Sequence, residues 1–331
     1  MNLSRFREIT SRYADLRIAI VGDYSCDRYL EIDPAKKESS IETGLPVYNV
    51  TKVRAQPGAS GTVLSNLVAL GVYELWPVGF CGADGEGFEL QRALKKLPGV
   101  RMDYFFENKE QRTFTYCKPL VMEPGQPPRE LNRLDSKNWH PTPQSLQNQL
   151  GEAVRNLAKK VDGVIVLDQV NQPDTGVVTR DLLNALNDIR DQTLIIGDSR
   201  RGLKDWPDII YKMNAAELTR LTGQPENLTK EASGQLARET GQPVFVTLAQ
   251  KGISGAYPNG DVDHCPALQP RKEIDIVGAG DAVTANLTAS LACGATIPEA
   301  LKLSNAAASV TIHKLGTTGT ASIEEIEAKL R

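Results

Sequence analysis

The feature that most constrains the fold is an alternation of short apolar runs with stretches of helical periodicity. Helical patterns such as 60–70, 144–160 and 298–314 lie between the apolar runs. Continuous apolar strands separated by helices are typical of a mostly parallel sheet covered on both faces. The pattern therefore predicts one α/β domain over residues 1–331, with a three-layer α/β/α, Rossmann-like core. The apolar runs predicted as strands are RIAIVGD (17–23), ELWPVGFCG (74–82), GVIVLD (163–168), TLIIGDS (193–199), IIYKMN (209–214) and PVFVTLA (243–249).

Two segments, about 28–56 and 101–135, interrupt this alternation. Both are rich in Val, Tyr, Thr and Phe, and neither has a helical period. We predict that they form short strands of a small separate sheet. A sheet inserted early in an α/β core is a natural lid over a site at the strand ends. Its exposed edges favour pairing with a second copy, so we expect a homodimer formed through the lid.

Charge and composition exclude several classes of partner. The formal net charge is −3 and the pI is about 5.8, so no general affinity for nucleic acid or anionic membrane is expected. No apolar run approaches the roughly 18 residues of a membrane span, and the N-terminal MNLSRFREITSRYADLR lacks the apolar core of a signal peptide. The five cysteines are scattered singly, as suits a reducing compartment. We therefore expect a soluble, cytoplasmic protein.

The sequence Gly278-Ala279-Gly280-Asp281 stands before a predicted helix at 281–293. Backbone N–H groups at a helix N-terminus can hold phosphoryl oxygens, yet a carboxylate there repels a phosphate that is merely bound. Val283 breaks the dinucleotide fingerprint, and no G-K-[ST] follows the glycines. We interpret Asp281 as facing an attacking hydroxyl, from which it takes the proton. The structural alternative is a tight turn capped by this aspartate.

A carboxylate at this position requires compensating cations. Asn214 and Glu217 stand three apart at a strand-to-helix junction and offer oxygen ligands of the kind that Mg²⁺ prefers, directly or through water. Arg200, in DSRRG, follows another strand and could meet phosphates. The alternatives are a helix cap for the first pair and a solvated basic turn for the arginine.

Four features in order carry a resemblance to a known family: IVGDYSCD (20–27), PGASGTVLSNLVALG (57–71), the Asn214–Glu217 pair and DIVGAGDAVTANLTASLACG (275–294). With VTLAQKG at 246–252, they resemble the ribokinase, or PfkB-type, family of sugar kinases over nearly the whole chain. The resemblance implies a ribokinase-like fold with a β lid. It also implies transfer of the γ-phosphoryl group of ATP, with Mg²⁺, to a hydroxyl of a sugar or sugar phosphate.

The resemblance also implies roles for individual residues. Asp281 matches the catalytic base, and the backbone of Gly278, Ala279 and Gly280 matches the anion hole. Asp275 matches a residue that helps to coordinate K⁺ in members activated by that ion. Residues implied in binding nucleotide and magnesium are Asn214, Glu217, Thr247, Lys251, Gly252, Asn305 and Arg200, and residues implied in binding the acceptor are Asp27, Gly58, Ala59, Thr62 and Arg112.

Within the family, VGDYSCDRY, RLD (133–135), Arg200 and SNAAASVTIHKLGTTGT are similar to kinases that phosphorylate heptose 7-phosphate at its anomeric hydroxyl. The chain departs from the family pattern beside the sugar. The usual Gly-Gly is Gly58-Ala59, and the Asn that commonly follows is Thr62. Two alternatives therefore stay open: a kinase of another small hydroxyl compound, such as a nucleoside or ketohexose, and a non-catalytic kinase-like protein that binds nucleotide or sugar for regulation.

Overall fold

The computed structural model describes residues 1–270, 273–314 and 318–331. Strands in the described residues are β1 (Arg17–Gly22), β2 (Tyr24–Ile32), β3 (Glu38–Ser39), β4 (Pro46–Val47), β5 (Val50–Ala59), β6 (Glu74–Gly82), β7 (Phe105–Asn108), β8 (Phe114–Val121), β9 (Arg129–Glu130), β10 (Leu134–Ser136), β11 (Gly163–Asp168), β12 (Leu194–Ser199), β13 (Ile210–Asn214), β14 (Val244–Thr247), β15 (Ile253–Ala256) and β16 (Val262–Cys265).

The α-helices pack around the larger sheet. They are α1 (Leu3–Thr10), α2 (Ser60–Ala69), α3 (Gly85–Lys95), α4 (Gln144–Leu157), α5 (Arg180–Ile189), α6 (Ala215–Thr222), α7 (Thr229–Thr240), α8 (Ala279–Ala292), α9 (Ile297–Thr311) and α10 (Ile323–Leu330).

The larger sheet has nine strands in the order β16-β15-β14-β13-β12-β11-β1-β6-β7. Neighbours from β14 through to β7 are parallel, whereas β15 and β16 are added antiparallel at one edge. Strand β1 lies between β6 and β11, so the chain winds away from it in both directions. Such a switch point leaves a crevice at the carboxyl ends of the strands, where ligands bind in open α/β sheets.

Helices cover both faces of this sheet, and β1 shows why. Ile18 and Ile20 belong to one apolar cluster, together with residues of α2, α8 and α9, while Ala19 and Val21 belong to another with residues of α4 and α5. Successive side chains of a strand point to opposite faces, so a continuous apolar strand buries both faces. The predicted three-layer α/β/α core with a mostly parallel sheet is confirmed.

The smaller sheet has the order β10-β8-β2-β5, with β9 paired to β8, and it forms the predicted lid. Its bounds differ from the predicted 28–56 and 101–135. The lid begins at Tyr24, and β7 lies in the larger sheet, where it pairs in parallel with β6. Phe105 is buried by this pairing. A short apolar strand has no local signal for the sheet that it joins, because that choice depends on burial against distant residues.

The six predicted strands agree with the structure to within two residues at each end, and 74–82 and 163–168 agree at both ends. The hairpin of β15 and β16 has no counterpart in the prediction. Its first strand reads ISGA, which is too short and too small in its side chains to show an apolar run. Pairing with the edge of β14 makes it a strand. Among the described residues, no helix is long and apolar enough to cross a membrane.

Candidate active site

The glycine-rich turn forms the N-terminus of α8. Gly278 caps the helix with φ 81° and ψ −4°, a left-handed conformation that favours glycine. A Cβ at this position would also lie 2.9 Å from Thr318 Cγ2, so no side chain fits without a shift. The first N–H groups of a helix have no partner within it, and the helix dipole is positive at this end. The Ala279 N–H donates to the Ile276 carbonyl at 3.2 Å, so the donors suited to an anion are the N–H groups that follow it in the turn. A role of the turn as an anion hole stays a prediction.

Asp281 lies in the first turn of α8 with part of its side chain accessible. Its pKa is raised from 3.8 to about 7. Burial is the largest cause, and the nearby carboxylates of Asp198 and Asp27 act in the same direction. The cations Lys212 and Arg200 act against this shift. A carboxylate with a pKa near neutrality is suited to accept a proton during a reaction.

Lys212 is a site residue that the sequence analysis did not identify. It lies on β13, and its Nζ donates to Oδ2 of Asp198, on the adjacent strand β12, at 2.7 Å. Burial acts to lower the pKa of Lys212, but the carboxylates of Asp198, Asp281 and Glu217 together more than offset this effect, so the pKa is raised. The available signal was two polar residues near the ends of consecutive apolar strands. Pairing them required the parallel register of the sheet.

Asn214 and Glu217 occupy the junction between β13 and α6 and form a reciprocal capping box. The Glu217 N–H donates to Asn214 Oδ1 at 2.9 Å, and the Asn214 N–H donates to Glu217 Oε2 at 2.7 Å. The predicted helix cap is therefore present, and the second carboxylate oxygen of Glu217 is left for another ligand. Among the described residues, no three His, Cys, Asp or Glu side chains converge as a metal cage. A single carboxylate fits Mg²⁺, which keeps waters and binds substrate phosphates.

A cavity of about 1360 Å³ opens beside the N-terminus of α8. Leu248, Val283 and Ile312 are among its apolar lining residues, and Ala279 and Gly280 of the α8 turn line it as well. The predicted nucleotide residues that line this cavity are Asn214, Thr247, Lys251, Gly252 and Asn305. A large cavity with both apolar and polar lining groups has the general character of a small-molecule site.

Asn305 is also held in place by a hydrogen bond, whereas Asp275 and Arg200 do not line the cavity. The Asn305 side-chain amide donates to the Pro266 carbonyl at 2.6 Å, so it fixes one wall. Asp275 accepts from the Val277 N–H at 3.0 Å, and its own N–H donates to the Ile312 carbonyl. Arg200 follows β12 directly and is exposed, and its positive charge acts to lower the pKa of Asp281.

Asp27 lies buried on β2 of the lid. Its carboxylate accepts from Ser25 Oγ at 3.0 Å and from Lys118 Nζ at 3.2 Å. Gly58 lies on the neighbouring strand β5, where it pairs with Ser25, and a Cβ there would come within 2.0 Å of Asp27 Oδ1. The carboxylate thus occupies the space of the missing side chain, which is why a glycine is required there. Lys118 is a second residue that the sequence analysis did not identify.

A chain of contacts joins the lid to the turn of α8. Lys118 Nζ lies 3.4 Å from the Tyr29 hydroxyl, and Gln56 Nε2 donates both to that hydroxyl and to Thr318 Oγ1, at 3.3 and 3.1 Å. Thr62 Cγ2 is 3.7 Å from the position of a Cβ on Gly278, so the departure at residue 62 lies beside the anion-binding turn.

Arg112, predicted to bind the acceptor, lies in the loop between β7 and β8, and its largely exposed side chain reaches the start of α3. Its guanidinium lies 3.6 Å from Asp84 and 3.9 Å from Glu86. Its backbone N–H donates to Asn138 Oδ1. Among the contacts of the described residues, none joins Arg112 to Asp27. A role in binding the acceptor stays a prediction.

Ala59, at the N-cap of α2, has φ 53° and ψ −119°, a conformation that side chains rarely adopt. Such strain costs on the order of 1–3 kcal/mol in the folded state. The extra conformational freedom that a glycine has in the unfolded chain opposes folding by less than that. We expect Ala59→Gly to raise the free energy of unfolding by about 1 kcal/mol, measured by urea denaturation. Ala69→Gly, in the same helix, is the control and should lower it. A loss of stability in Ala59→Gly would contradict the assignment of strain.

Comparison with known proteins adds to this geometry. A family model described as pfkB family carbohydrate kinase matches residues 25–324. The bifunctional protein HldE of Syntrophotalea carbinolica is 28% identical over 338 residues, which cover 98% of this chain and 65% of the relative. HldE of Azorhizobium caulinodans is 30% identical over 305 residues, covering 91% and 61%. The chain therefore spans less than two thirds of the length of these relatives.

Solved structures share the fold at lower identity. Ribokinase of Arabidopsis thaliana, complexed with ribose and ATP, has a TM-score of 0.68 and 20% identity, covering 96% of this chain and 99% of that one. Phosphofructokinase-2 of Escherichia coli, in complex with fructose-6-phosphate, has a TM-score of 0.69 and 18% identity, covering 95% and 97%.

Proposed function

Because the chain belongs to the pfkB family of carbohydrate kinases, and is thus a phosphotransferase acting on an alcohol group, we propose that it transfers the γ-phosphoryl group of ATP to a sugar phosphate. The observation that carries this proposal is the position of Asp281. It follows Gly280, which lines the large cavity, and its pKa responds to the charge of Asp27 in the lid. Both observations support a base that acts between a nucleotide in this cavity and an acceptor under the lid.

In the proposed reaction, the acceptor lies under the lid and Asp27 accepts hydrogen bonds from its hydroxyls. Asp281 takes the proton from the attacking hydroxyl as the new O–P bond forms. The bond between the γ-phosphorus and the bridging oxygen breaks, and ADP leaves. The N–H groups of the 278–281 turn hold the phosphoryl oxygens, whose charge is spread in the transition state.

Magnesium and potassium enter as further parts of the proposal. Glu217, with Asn214 directly or through water, would hold Mg²⁺, which supplies charge neutralisation of the phosphates when bound. Asp275 would take part in a K⁺ site near the start of α8. Replacement of K⁺ by Na⁺ in the assay tests the latter, because equal rates in both salts would remove potassium from the proposal.

The first acceptor to test is heptose 7-phosphate, which follows from the likeness of VGDYSCDRY and the C-terminal motifs to kinases of that sugar. We expect ADP release from MgATP to be fastest with heptose 7-phosphate among a panel that also holds fructose 6-phosphate, ribose, fructose and adenosine. Fastest release with adenosine or free fructose would identify a different acceptor class. ATP binding without turnover on any acceptor would favour the regulatory alternative.

The lid and the adjoining β3–β4 hairpin, which is a separate two-stranded sheet, carry exposed apolar side chains that fit the proposed homodimer. Ile41, on the turn between β3 and β4, is 98% exposed, and Leu45 and Leu134 are also exposed. Edge strand β5 adds Val50 and Val53. We expect a dimer in sedimentation velocity that Ile41→Lys converts to monomer, because a charge would be buried at the interface. Leu228→Lys, between α6 and α7, is the control. A monomeric wild type would contradict the proposal.

A cytoplasmic location remains part of the same proposal. All five cysteines are free in the structure, as the sequence analysis expected for a reducing compartment. Cell fractionation tests this, and recovery of the protein in an oxidising compartment would overturn it.

A further inference from the structure

Lys212 carries a buried ammonium group, and the need to pack the core does not explain a charge at this position. The residue is 6% exposed on an interior strand of the larger sheet. A buried cation needs a partner, and Asp198 provides one. An ammonium nevertheless has three N–H donors, and this contact uses one of them. Lys212 Nζ also lies 3.3 Å from the position that a Cβ on Gly280 would occupy, so the cation lies directly against the turn of α8.

The charges that face Asp281 come from each element packed around it. They are Lys212 on β13, Asp198 on β12, Arg200 after β12 and Asp27 on the lid strand β2. The charge of Glu217, on α6, raises the pKa of Lys212. Arg200 is exposed, and solvent screens its charge, whereas Lys212 is buried and unscreened. Lys212 is therefore the main cation that favours the ionised form of Asp281, against the larger effect of burial.

Asp198 has two opposing effects in this arrangement. It anchors Lys212 at 2.7 Å, and its Oδ2 also lies 3.5 Å from Thr284 Oγ1, one turn after Asp281 on α8. Its negative charge, however, competes with Asp281 for the ammonium group of Lys212. The same charge also repels the carboxylate of Asp281 directly. Removing Asp198 and removing Lys212 should therefore move the ionisation of Asp281 in opposite directions.

We propose that Lys212, anchored by Asp198, is the positioning residue that keeps Asp281 ionised and able to accept a proton at neutral pH, and that Asp198 limits how strongly it does so. This inference rests on the proposed function, in which Asp281 is the base. It assigns roles to two residues that lie 14 positions apart in the chain and to which the sequence analysis gave no role.

The test compares Lys212→Met with Asp198→Asn. The measurement is kcat/KM for heptose 7-phosphate at saturating MgATP, between about pH 5 and pH 9, the range in which a carboxylate with a raised pKa titrates. The wild-type rate should rise with pH as Asp281 loses its proton. In Lys212→Met, this rise should move to higher pH by about one unit or more, and in Asp198→Asn it should move to lower pH. A purely structural pair would lose activity in both variants without opposite shifts.

A double variant separates folding from charge. Lys212→Met leaves Asp198 buried without its partner, which is destabilising, while Lys212→Met with Asp198→Asn removes both charges. We expect the double variant to melt closer to the wild type than Lys212→Met does. Its rise in activity should nevertheless stay at higher pH than that of Asp198→Asn. Shifts in the same direction, or none, in an enzyme that Asp281→Asn inactivates would overturn the inference and leave the proposed function intact.

A second measurement does not depend on the acceptor. Because the pKa of Asp281 is raised in the folded state, the folded chain binds a proton that the unfolded chain releases at lower pH. The unfolding free energy of the wild type relative to Asp281→Asn should therefore fall as pH rises between about 4 and about 7. This fall should extend to higher pH in Lys212→Met and end at lower pH in Asp198→Asn. Identical curves in all backgrounds would overturn the inference even if no acceptor is phosphorylated.

Discussion

Asp281→Asn is expected to lower turnover by roughly 100-fold or more, the scale of a positioned acid–base group, while MgATP binding is retained. The amide cannot take the proton from the attacking hydroxyl, but it leaves the N–H groups of the 278–281 turn in place. Turnover is measured as ADP release with the fastest acceptor of the panel, and binding is measured by calorimetry with MgATP.

A stability measurement and a control variant distinguish a loss of the base from a loss of structure. The raised pKa of Asp281 means that folding disfavours its ionised form, so a neutral amide should not lower the free energy of unfolding at pH above about 7. Asp191→Asn, at a position whose side chain is 89% exposed, is the matched control and should keep full activity. Parental turnover in Asp281→Asn would exclude this carboxylate as the base.

Gly58→Ala should lower kcat/KM for the acceptor by about 100-fold, the cost of displacing a positioned group by about 1 Å. The added Cβ would come within 2.0 Å of Asp27 Oδ1 and 2.4 Å of Ser25 Oγ. The carboxylate must then move away from the acceptor, and its contact with Lys118 Nζ must change as well. The loss should appear in kcat/KM for the acceptor and not in the affinity for MgATP, because the cavity that we propose for the nucleotide lies at the larger sheet.

Gly85→Ala is the control for this substitution. Gly85 begins α3, and a Cβ there meets no described atom within 4 Å. It should keep the parental kcat/KM, and both variants should bind MgATP like the wild type. If Gly58→Ala retained the parental kcat/KM, the position of Asp27 would not matter for the acceptor, and the lid would have to bind it by other residues.

Local signals predicted the elements around the large cavity well. The strands, the glycine-rich turn and the capping box of α6 depend on residues within a few positions of one another, so a linear pattern records them. Five of the seven residues predicted to bind nucleotide and magnesium line one cavity, to which several elements contribute. They could be assembled beforehand only through the likeness to a known family.

The acceptor side was less predictable. Asp27 was identified, but the lid began earlier than expected and β7 joined the other sheet. Lys118 lies 91 residues from Asp27 along the chain, and only the parallel pairing of β2 with β8 brings the two strands side by side. The strain at Ala59 follows from the path of β5 into α2, which composition does not encode.

By itself, the sequence determined the alternation of buried strands and helices, and with it the covered parallel sheet, together with the turn that starts α8. These features follow from periodicity and from backbone preferences, which act over one or two turns of chain. Only the tertiary structure decided which charges meet. Lys212 and Asp198 are unremarkable in their own strands, and they become a pair under Asp281 because parallel register aligns β12 with β13 and packs α8 against them. In a buried site such long-range contacts determine a pKa, because few solvent molecules remain to screen the charges.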